Sequence, residues 1–524
     1  MLKLKEHLKS CSIPFETVLI ILVCSILGGY SIWYASSGEF PAFPKPGKQN
    51  YYIDLGEAFL HGQVSMLEVP SSELVALKNP YDFAQRKNVP YQRDYSYYRG
   101  KYFLYWGPVP GLAFAGVEAI LHQPPPDALV VLISYIGLSC LLSIVLIRIR
   151  TQLFPAAPRP SWVVFILAGL VNIPFFFLLG RPYVCETAIL AGQFFLFMGL
   201  LCWMMYMQTV RPVWLVFAGL GWGLALGSRY NLAISILPLL SLMALWIGQE
   251  DKWKDYWRKW LLLLVPLALF VLGLGIYNFV RFGNPLETGL TYQLTVPVHQ
   301  YLSAASVPSK LYIYFLSPLV ILNKFPFVKP FPFSYQLLPV WLRAVSRSSG
   351  QLFDPDMAGL LMAAPFTWLL VLGVPLTVLW GKSHLGSGLV FSRRFVFFAV
   401  IFAAAAAQLL FLLMFYYGAM RFLVDLYPLL ALVMVMLVWR MDEMLRPMPG
   451  LRWGLWILVS GLAILTVVMG LLGGFDISPH LFKTYNPLLY SRIAALWDGY
   501  YQYMKDILDA LRFPAALHFL LHVL

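Results

Sequence analysis

The chain has 524 residues, of which 60% are hydrophobic and 12% charged, with a mean hydropathy of +0.70 and a formal net charge of +13 at pH 7. Soluble domains carry about a quarter charged residues, so this composition excludes a soluble enzyme and marks a polytopic helical membrane protein. The Lys and Arg residues sit in short loops between apolar runs, where they set orientation and meet anionic headgroups; nucleic acid is excluded as a partner, and membrane lipids are expected.

The first apolar run, 17–35, has no small-x-small cleavage site before the charged stretch that follows, and its length predicts an uncleaved spanning anchor. Residues 36–101 then gather 15 of the chain's 63 Asp, Glu, Lys and Arg side chains. Within them YYIDLGEAFLHGQ (51–63) predicts a short helix along the membrane surface, with Tyr51, Leu55, Ala58 and Phe59 on one side and Asp54 and Glu57 on an adjacent face. A carboxylate at the hydrocarbon boundary, its pKa raised by partial desolvation, suits a general base for an acceptor hydroxyl. Asp54 is therefore the leading catalytic candidate and Glu57 the second; a helix-terminal or ion-paired acid is the other use of either.

The string RDYSYYRGKYFLYWGPVP (93–110) sets Arg93, Arg99 and Lys101 among Tyr95, Tyr97, Tyr98, Tyr102 and Tyr105. Cations beside aromatic faces fit a phosphate joined to a sugar and a lipid, which makes Arg93, Tyr98, Arg99 and Lys101 expected binding residues. A belt of interfacial tyrosines with snorkelling basic residues explains the tyrosines equally well, but not Asp94. The following run, 102–122, is broken by Gly107, Pro108 and Pro110, and proline removes backbone hydrogen bonds that lipid cannot replace; a re-entrant or interfacial element is predicted there.

Further runs of roughly 17–25 residues, enough to cross about 30 Å of hydrocarbon, fall at 128–149, 161–180, 183–206, 212–228, 230–247, 259–280, 358–380, 395–416, 422–439 and 453–475. If 102–122 makes no net crossing, the basic clusters all fall on one side. These are Lys3, Lys5 and Lys9; Arg148, Arg150 and Arg159; Arg211; Lys252, Lys254, Arg258 and Lys259; Lys382, Arg393 and Arg394; and Arg440, Arg446 and Arg452. The expected fold is all-α: one transmembrane domain over 1–475 with about eleven crossings, a cytoplasmic N-terminus, outer loops at 36–127 and 281–357, and an extracytoplasmic amphipathic tail at 476–524. Five cysteines, Cys11, Cys24, Cys140, Cys185 and Cys202, show no paired spacing and read as small core residues.

Ionisable residues inside or beside spanning runs are functional candidates because inserting them is costly. GRPYVCE puts Arg181 and Glu186 at an outer mouth, where Glu186 serves either catalysis or a structural pair with Arg181 or Arg229. SRYN places Arg229 at an outer helix junction, where it can reach a phosphate or a carboxylate, and YNFVRFGNPLETGLTYQL offers Arg281 as an anion ligand and Glu287 as another acid around a turn whose role is substrate binding or architecture. Arg421, a further expected substrate- or phosphate-binding residue, and Asp425, four apart, share one face of a helix and can pair, which would leave Arg421 only half available to a substrate. There is no Walker loop, HExxH, GxSxG or metal-spaced His and Cys cluster, so no metal site is expected.

Taken together, YYIDLGEAFLHGQ, NPYD, DYSYYRGKYFLYWGPVP, RPYVCE, RYN, YNFVRFGNPLETG and RFLVDLYP, spread over most of 45–430, resemble the GT-C superfamily of polyprenyl-phosphate-dependent glycosyltransferases. Within it the chain looks like the bacterial branch related to protein O-mannosyltransferases and aminoarabinose or galacturonic acid transferases. The resemblance implies an enzyme of the bacterial inner (plasma) membrane with an extracytoplasmic site and a lipid-linked sugar donor. It implies no cofactor or required metal, and inverting transfer of a hexosyl or pentosyl group to a lipid, glycan or protein. Asp54 would activate the acceptor, and Lys101, Arg229 or Arg281 would meet the departing lipid phosphate. Family members usually carry adjacent acids in the first loop, whereas Leu55 and Gly56 separate Asp54 from Glu57 here. A lipid-linked saccharide polymerase, ligase or flippase is the second reading, and a solute transporter, which would need charges near the midplane, the third.

Overall fold

A computed structural model describes residues 15–39, 51–123, 126–250, 253–295, 301–334, 336, 338–343, 352–373, 375, 393–476 and 481–510. Lys3, Lys5, Lys9, Cys11, Lys252, Lys382 and the tail beyond Ala510 lie outside them. The protein is a helical membrane protein. Six described helices are long and apolar enough to cross a bilayer, and a bent pair adds a seventh. In chain order the main elements are α1 (Phe15–Ala35), α2 (Tyr51–Leu60), β1 (Ser96–Tyr98), β2 (Lys101–Phe103), α3 (Val109–Leu121), α4 (Asp127–Leu153), α5 (Ser161–Leu170), α6 (Ile173–Gly180), α7 (Val184–Thr209), α8 (Val213–Ser228), α9 (Ala233–Glu250) and α10 (Trp253–Phe282). There follow α11 (Val307–Leu316), β3 (Leu319–Ile321), β4 (Val328–Pro332), β5 (Leu352–Phe353), β6 (Asp356–Met357), α12 (Arg393–Met414), β7 (Tyr417–Gly418), α13 (Tyr427–Met444), α14 (Pro449–Gly473), α15 (Leu481–Tyr485) and α16 (Pro487–Ala510).

The number of clear spans is below the eleven expected for identifiable reasons. α8 has 16 residues, and α13 closes on Arg440, Asp442 and Glu443, which shorten its apolar stretch. Much of the run at 358–380 is irregular or lies outside the described residues. Glu16–Arg150, Arg394–Glu443 and Asp442–Arg452 pair at one end of the helices, while α2, the β1–β2 hairpin and the second loop occupy the other.

α5 and α6 meet at a 54° bend. Asn172 sits in the break, its side chain accepting from the Phe175 N–H and donating to the Ala168 and Gly169 carbonyls, which supplies the partners that the broken helix lacks.

The run at 102–122 forms no single long helix. Residues 101–103 form a strand, the chain turns through Trp106–Pro108, and α3 has 13 residues, about 20 Å at 1.5 Å per residue against about 30 Å of hydrocarbon. α3 packs on α2 through two glycines. A Cβ on Gly111 would lie 2.8 Å from the Leu55 side chain, and one on Gly56 would lie 3.1 Å from the Ala115 nitrogen. Gly107 seats the turn on α8, where a Cβ would come within 2.2 Å of the Gly227 carbonyl oxygen. Backbone on both sides leaves nothing soft to move, so Gly107→Ala should destabilise the fold by about 1–3 kcal/mol, the usual cost of overpacking. Gly56→Ala should cost less; thermal unfolding of the purified variants orders the two, and equal melting temperatures would refute the close approach.

Candidate active site

The site lies between the two long loops, which are locked together by backbone. The Ser96 hydroxyl donates to the Gly289 carbonyl at 2.6 Å, Leu294 N–H to the Tyr95 carbonyl at 3.3 Å, and buried Arg86 to the Leu294 carbonyl at 2.6 Å. Arg281 completes the clamp. It is 3% exposed, donates to the Leu104 carbonyl and to Asn278 Oδ1 at 2.5 Å each, and stacks on Tyr277 at 3.9 Å. That guanidinium holds the end of β2 in place; it does not line either cavity described below.

A polar cavity of about 120 Å³ opens at this junction, with Asp94, Arg181, Glu186 and Arg421 in its wall. Beside it lies an apolar cavity of about 400 Å³ walled by residues such as Ile234, Leu302, Phe411 and Leu412. The two share Tyr105, Trp106, Leu290, Phe415 and Phe422, so a place for charge and a place for hydrocarbon adjoin.

Asp94 is the first-loop acid that reaches the polar cavity. Its φ is +57°, a left-handed conformation that Asp visits at a cost and that concentrates at functional sites. Its N–H donates to Thr295 Oγ1 at 2.6 Å, and its carboxylate accepts from the Tyr105 hydroxyl at 3.2 Å and, at 3.5 Å, from Tyr51. Glu186, 1% exposed in the first turn of α7, leaves Oε2 buried without a hydrogen-bond partner. Burying such an oxygen unpaired costs free energy, which a substrate hydroxyl in the cavity would offset.

The Arg421–Asp425 pairing expected at a spacing of four does not form. Met420–Asp425 is a 3-10 helix with three residues per turn, so positions four apart point to different sides. Asp425 instead takes Arg229, through Nη2 at 2.7 Å and Nε at 3.1 Å, with the Arg229 guanidinium stacked between Trp106 and Phe422 at 5.0 Å from each. Arg421 bonds Asp354, which also accepts from the Tyr417 hydroxyl at 2.6 Å, and lies 3.9 Å from Glu186. The parallel pairing of β5 with β7, Leu352 opposite Tyr417, brings Asp354 to that place. Glu186 thus neighbours Arg421 rather than pairing with Arg181 or Arg229 as the structural alternative had it.

Arg181 differs from these. It stacks on Tyr183 at 5.1 Å, makes no ion pair among the described residues, and has a buried Nε without a partner. The remaining expected residues lie elsewhere. Arg93 is exposed, and its carbonyl accepts from Tyr51; Arg99 and Lys101 are exposed at the tip of the β1–β2 hairpin, where Arg99 and Gly100 both have positive φ. Tyr98 packs on Tyr292 and Phe282 at 4.6 and 5.6 Å. Glu287 closes its own turn by accepting from Gly289 N–H at 2.7 Å. No cluster of three or more His, Cys, Asp or Glu arranged to hold a metal ion occurs among the described residues.

Asp54 lies on α2 as expected from the spacing but outside the lining of the polar cavity. Its Oδ2 accepts from the Tyr95 hydroxyl at 3.3 Å, and the Tyr95 and Tyr51 rings, edge to face at 5.2 Å, stand between it and Asp94. Glu57, one turn on, is half-buried with no side-chain hydrogen bond among those described. Asp94 was legible only as a residue that a tyrosine belt does not explain, and Asp354 carried no signal.

No family model matches the chain, and no curated protein matches it. Among solved structures it is similar to the oligosaccharyltransferase of Archaeoglobus fulgidus in the apo form, at 12% identity and a TM-score of 0.47 over 87% of this chain. It is also similar to the archaeal oligosaccharyltransferase AglB from Archaeoglobus fulgidus in complex with an inhibitory peptide and a dolichol-phosphate, at 13% identity and 0.48 over 89%. The chain spans 55% and 56% of those chains, about half their length.

Burial pushes the Asp54 carboxyl up from its ordinary 3.8 to about 6, against the Tyr95 hydrogen bond and with the help of Glu57 and Glu68. A raised carboxyl pKa means that the folded state favours the neutral acid, so stability falls as pH rises from about 4 to about 6 and stays reduced above. Asp54→Asn removes that penalty. The variant should melt higher than the parent at neutral pH, with the gap closing toward about pH 4; a gap that does not change with pH would contradict the burial of Asp54.

Proposed function

We propose that the protein is a membrane glycosyltransferase that moves a sugar from a polyprenyl-phosphate donor to an acceptor outside the cytoplasm. The observation that carries this reading is the shared wall between the two cavities. An isoprenoid chain fits the apolar side, a sugar and phosphate fit the polar side, and Tyr105 and Trp106 mark the boundary between them. The basic residues at the opposite ends of the helices support a site that faces away from the cytoplasm.

In this reading Asp94, at the rim, takes the place expected for Asp54 and accepts the proton of the acceptor hydroxyl. The acceptor oxygen forms a bond to the anomeric carbon while the carbon–oxygen bond to phosphate breaks, and the electron pair leaves on the polyprenyl phosphate. A single displacement of this kind inverts the anomeric centre. Arg181, which carries no carboxylate partner among the described residues, meets the charge developing on that phosphate. Arg229 and Arg421 already face carboxylates and give the cavity its shape. The unpartnered Oε2 of Glu186 holds a sugar hydroxyl.

The test is consumption of a labelled polyprenyl-phosphate sugar by membranes containing the protein. Asp94→Asn should lower the turnover about 10²- to 10⁴-fold, the range of general base catalysis, and Arg181→Met should raise the KM for the donor. Asp54→Asn should keep most of the activity. Full activity in Asp94→Asn together with loss in Asp54→Asn would return the base to α2.

A further inference from the structure

The last helix, α16, meets three environments at once. About 100° separates successive residues around a helix of 3.6 per turn. Tyr490, Ala494 and Tyr501 therefore fall on one line, and these residues pack on the protein body: the Tyr490 ring lies 5.7 Å from Phe325, and Tyr501 lies 5.3 Å from Phe327. Asp498 Oδ1, on the same side, accepts from the Phe325 N–H at 2.6 Å. On one flank of that line stand Leu496, Tyr500 and Tyr503, which are 75%, 56% and 64% exposed. On the other flank stand Ser491, Gln502, Lys505 and Asp506, also exposed, and exposed Leu488 and Arg492 lie where the two flanks meet.

We infer that α16 lies in the bilayer interface, with the Leu496, Tyr500 and Tyr503 flank in the lipid and the Ser491, Gln502 and Asp506 flank in water. The occupant of the apolar flank is the same membrane that the chain spans, as continuity with that membrane indicates. α14 is a spanning helix that ends at Gly473, and Phe475 and Phe482 just beyond it pack on Trp33 and Tyr34 at the end of spanning α1. Rings of this kind mark the level of the headgroups. α16 starts from that belt: Asn486 donates to the Ser37 carbonyl at 3.1 Å and caps Leu489 N–H at 3.0 Å. A helix with opposed exposed flanks, one apolar and one polar, has a stable place only where hydrocarbon and water meet.

Charge does not select the lipid. Arg492 and Lys505 are offset by Asp498 and Asp506 along the helix, so the seat depends on apolar area rather than on anionic headgroups. The inner face then gives the anchoring a consequence. The turn at Phe325–Phe327 joins β3 to β4, β4 pairs with β6, and β6 begins two residues after Asp354. α16 is thereby a brace that sets the height of the second loop above the bilayer. This inference rests on the membrane fold and stands apart from the assignment of catalysis.

Spin labels placed one at a time at positions 496, 500, 503, 491, 502 and 506 test it. They are carried by the full chain with its native cysteines replaced, in phosphatidylcholine vesicles. All six positions are exposed, so labelling leaves the core intact, and a retained melting temperature checks that. Labels at 496, 500 and 503 should collide mainly with oxygen, which concentrates in hydrocarbon, and those at 491, 502 and 506 mainly with a water-soluble nickel chelate. Six water-accessible labels, or six labels shielded from both reagents, would overturn the proposal. Depths should be the same when anionic lipid replaces part of the phosphatidylcholine; a seat that forms only with anionic lipid would overturn the apolar account.

Discussion

Arg229 and Asp425 form the contact on which the rest of the site depends. Both are buried, at 7% and 0% exposure of their side chains, and removing one partner of a buried pair costs about 3–5 kcal/mol because the other charge is left stranded. The pair ties the outer end of α8 to the short helix before α13. On the other side of that 3-10 turn Arg421 takes Asp354 from the second loop and sits beside Glu186. The ends of α7 and α8, the turn before α13 and one loop are thus brought together by these charges. What these pairs do not use, Arg181 and one oxygen of Glu186, faces the polar cavity.

The same economy applies to the first loop. It supplies one acid to the cavity: Tyr51 and Tyr105 donate to Asp94, Ser96 holds the strand after it to Gly289, and Arg281 from α10 holds the Leu104 carbonyl. Asp54 belongs to a separate layer, with its hydrogen bond to Tyr95. Of the tyrosines in 93–110, Tyr105 holds Asp94, Tyr95 holds Asp54, and Tyr98 packs on Tyr292 and Phe282.

Much of the architecture was legible because it rests on local rules. Apolar length predicts the long helices, the spacing of Tyr51, Leu55 and Ala58 predicts α2, and Gly107 with Pro108 and Pro110 predicts the break within 102–122. The site was less legible because its contacts are long-range. Nothing near Asp354 in the chain announces Arg421, 67 residues away, and the i, i+4 rule misled at Arg421 and Asp425 because that turn is 3-10 rather than α. Charge-rich strings pointed to residues at an exposed tip: Arg99 and Lys101 sit at the hairpin turn, whereas Asp94, one residue after Arg93, has a positive φ and lines the polar cavity.

The most direct test of the account is photo-crosslinking with a polyprenyl phosphate that carries a photoreactive group along its chain, followed by mapping of the modified residues. Labelling is expected at Leu302, Phe411, Leu412 and Phe415, with loss of labelling in Arg181→Met at limiting probe. Labelling confined to the lipid-facing groove of Leu112, Leu269 and Phe270, unaffected by Arg181→Met, would contradict it.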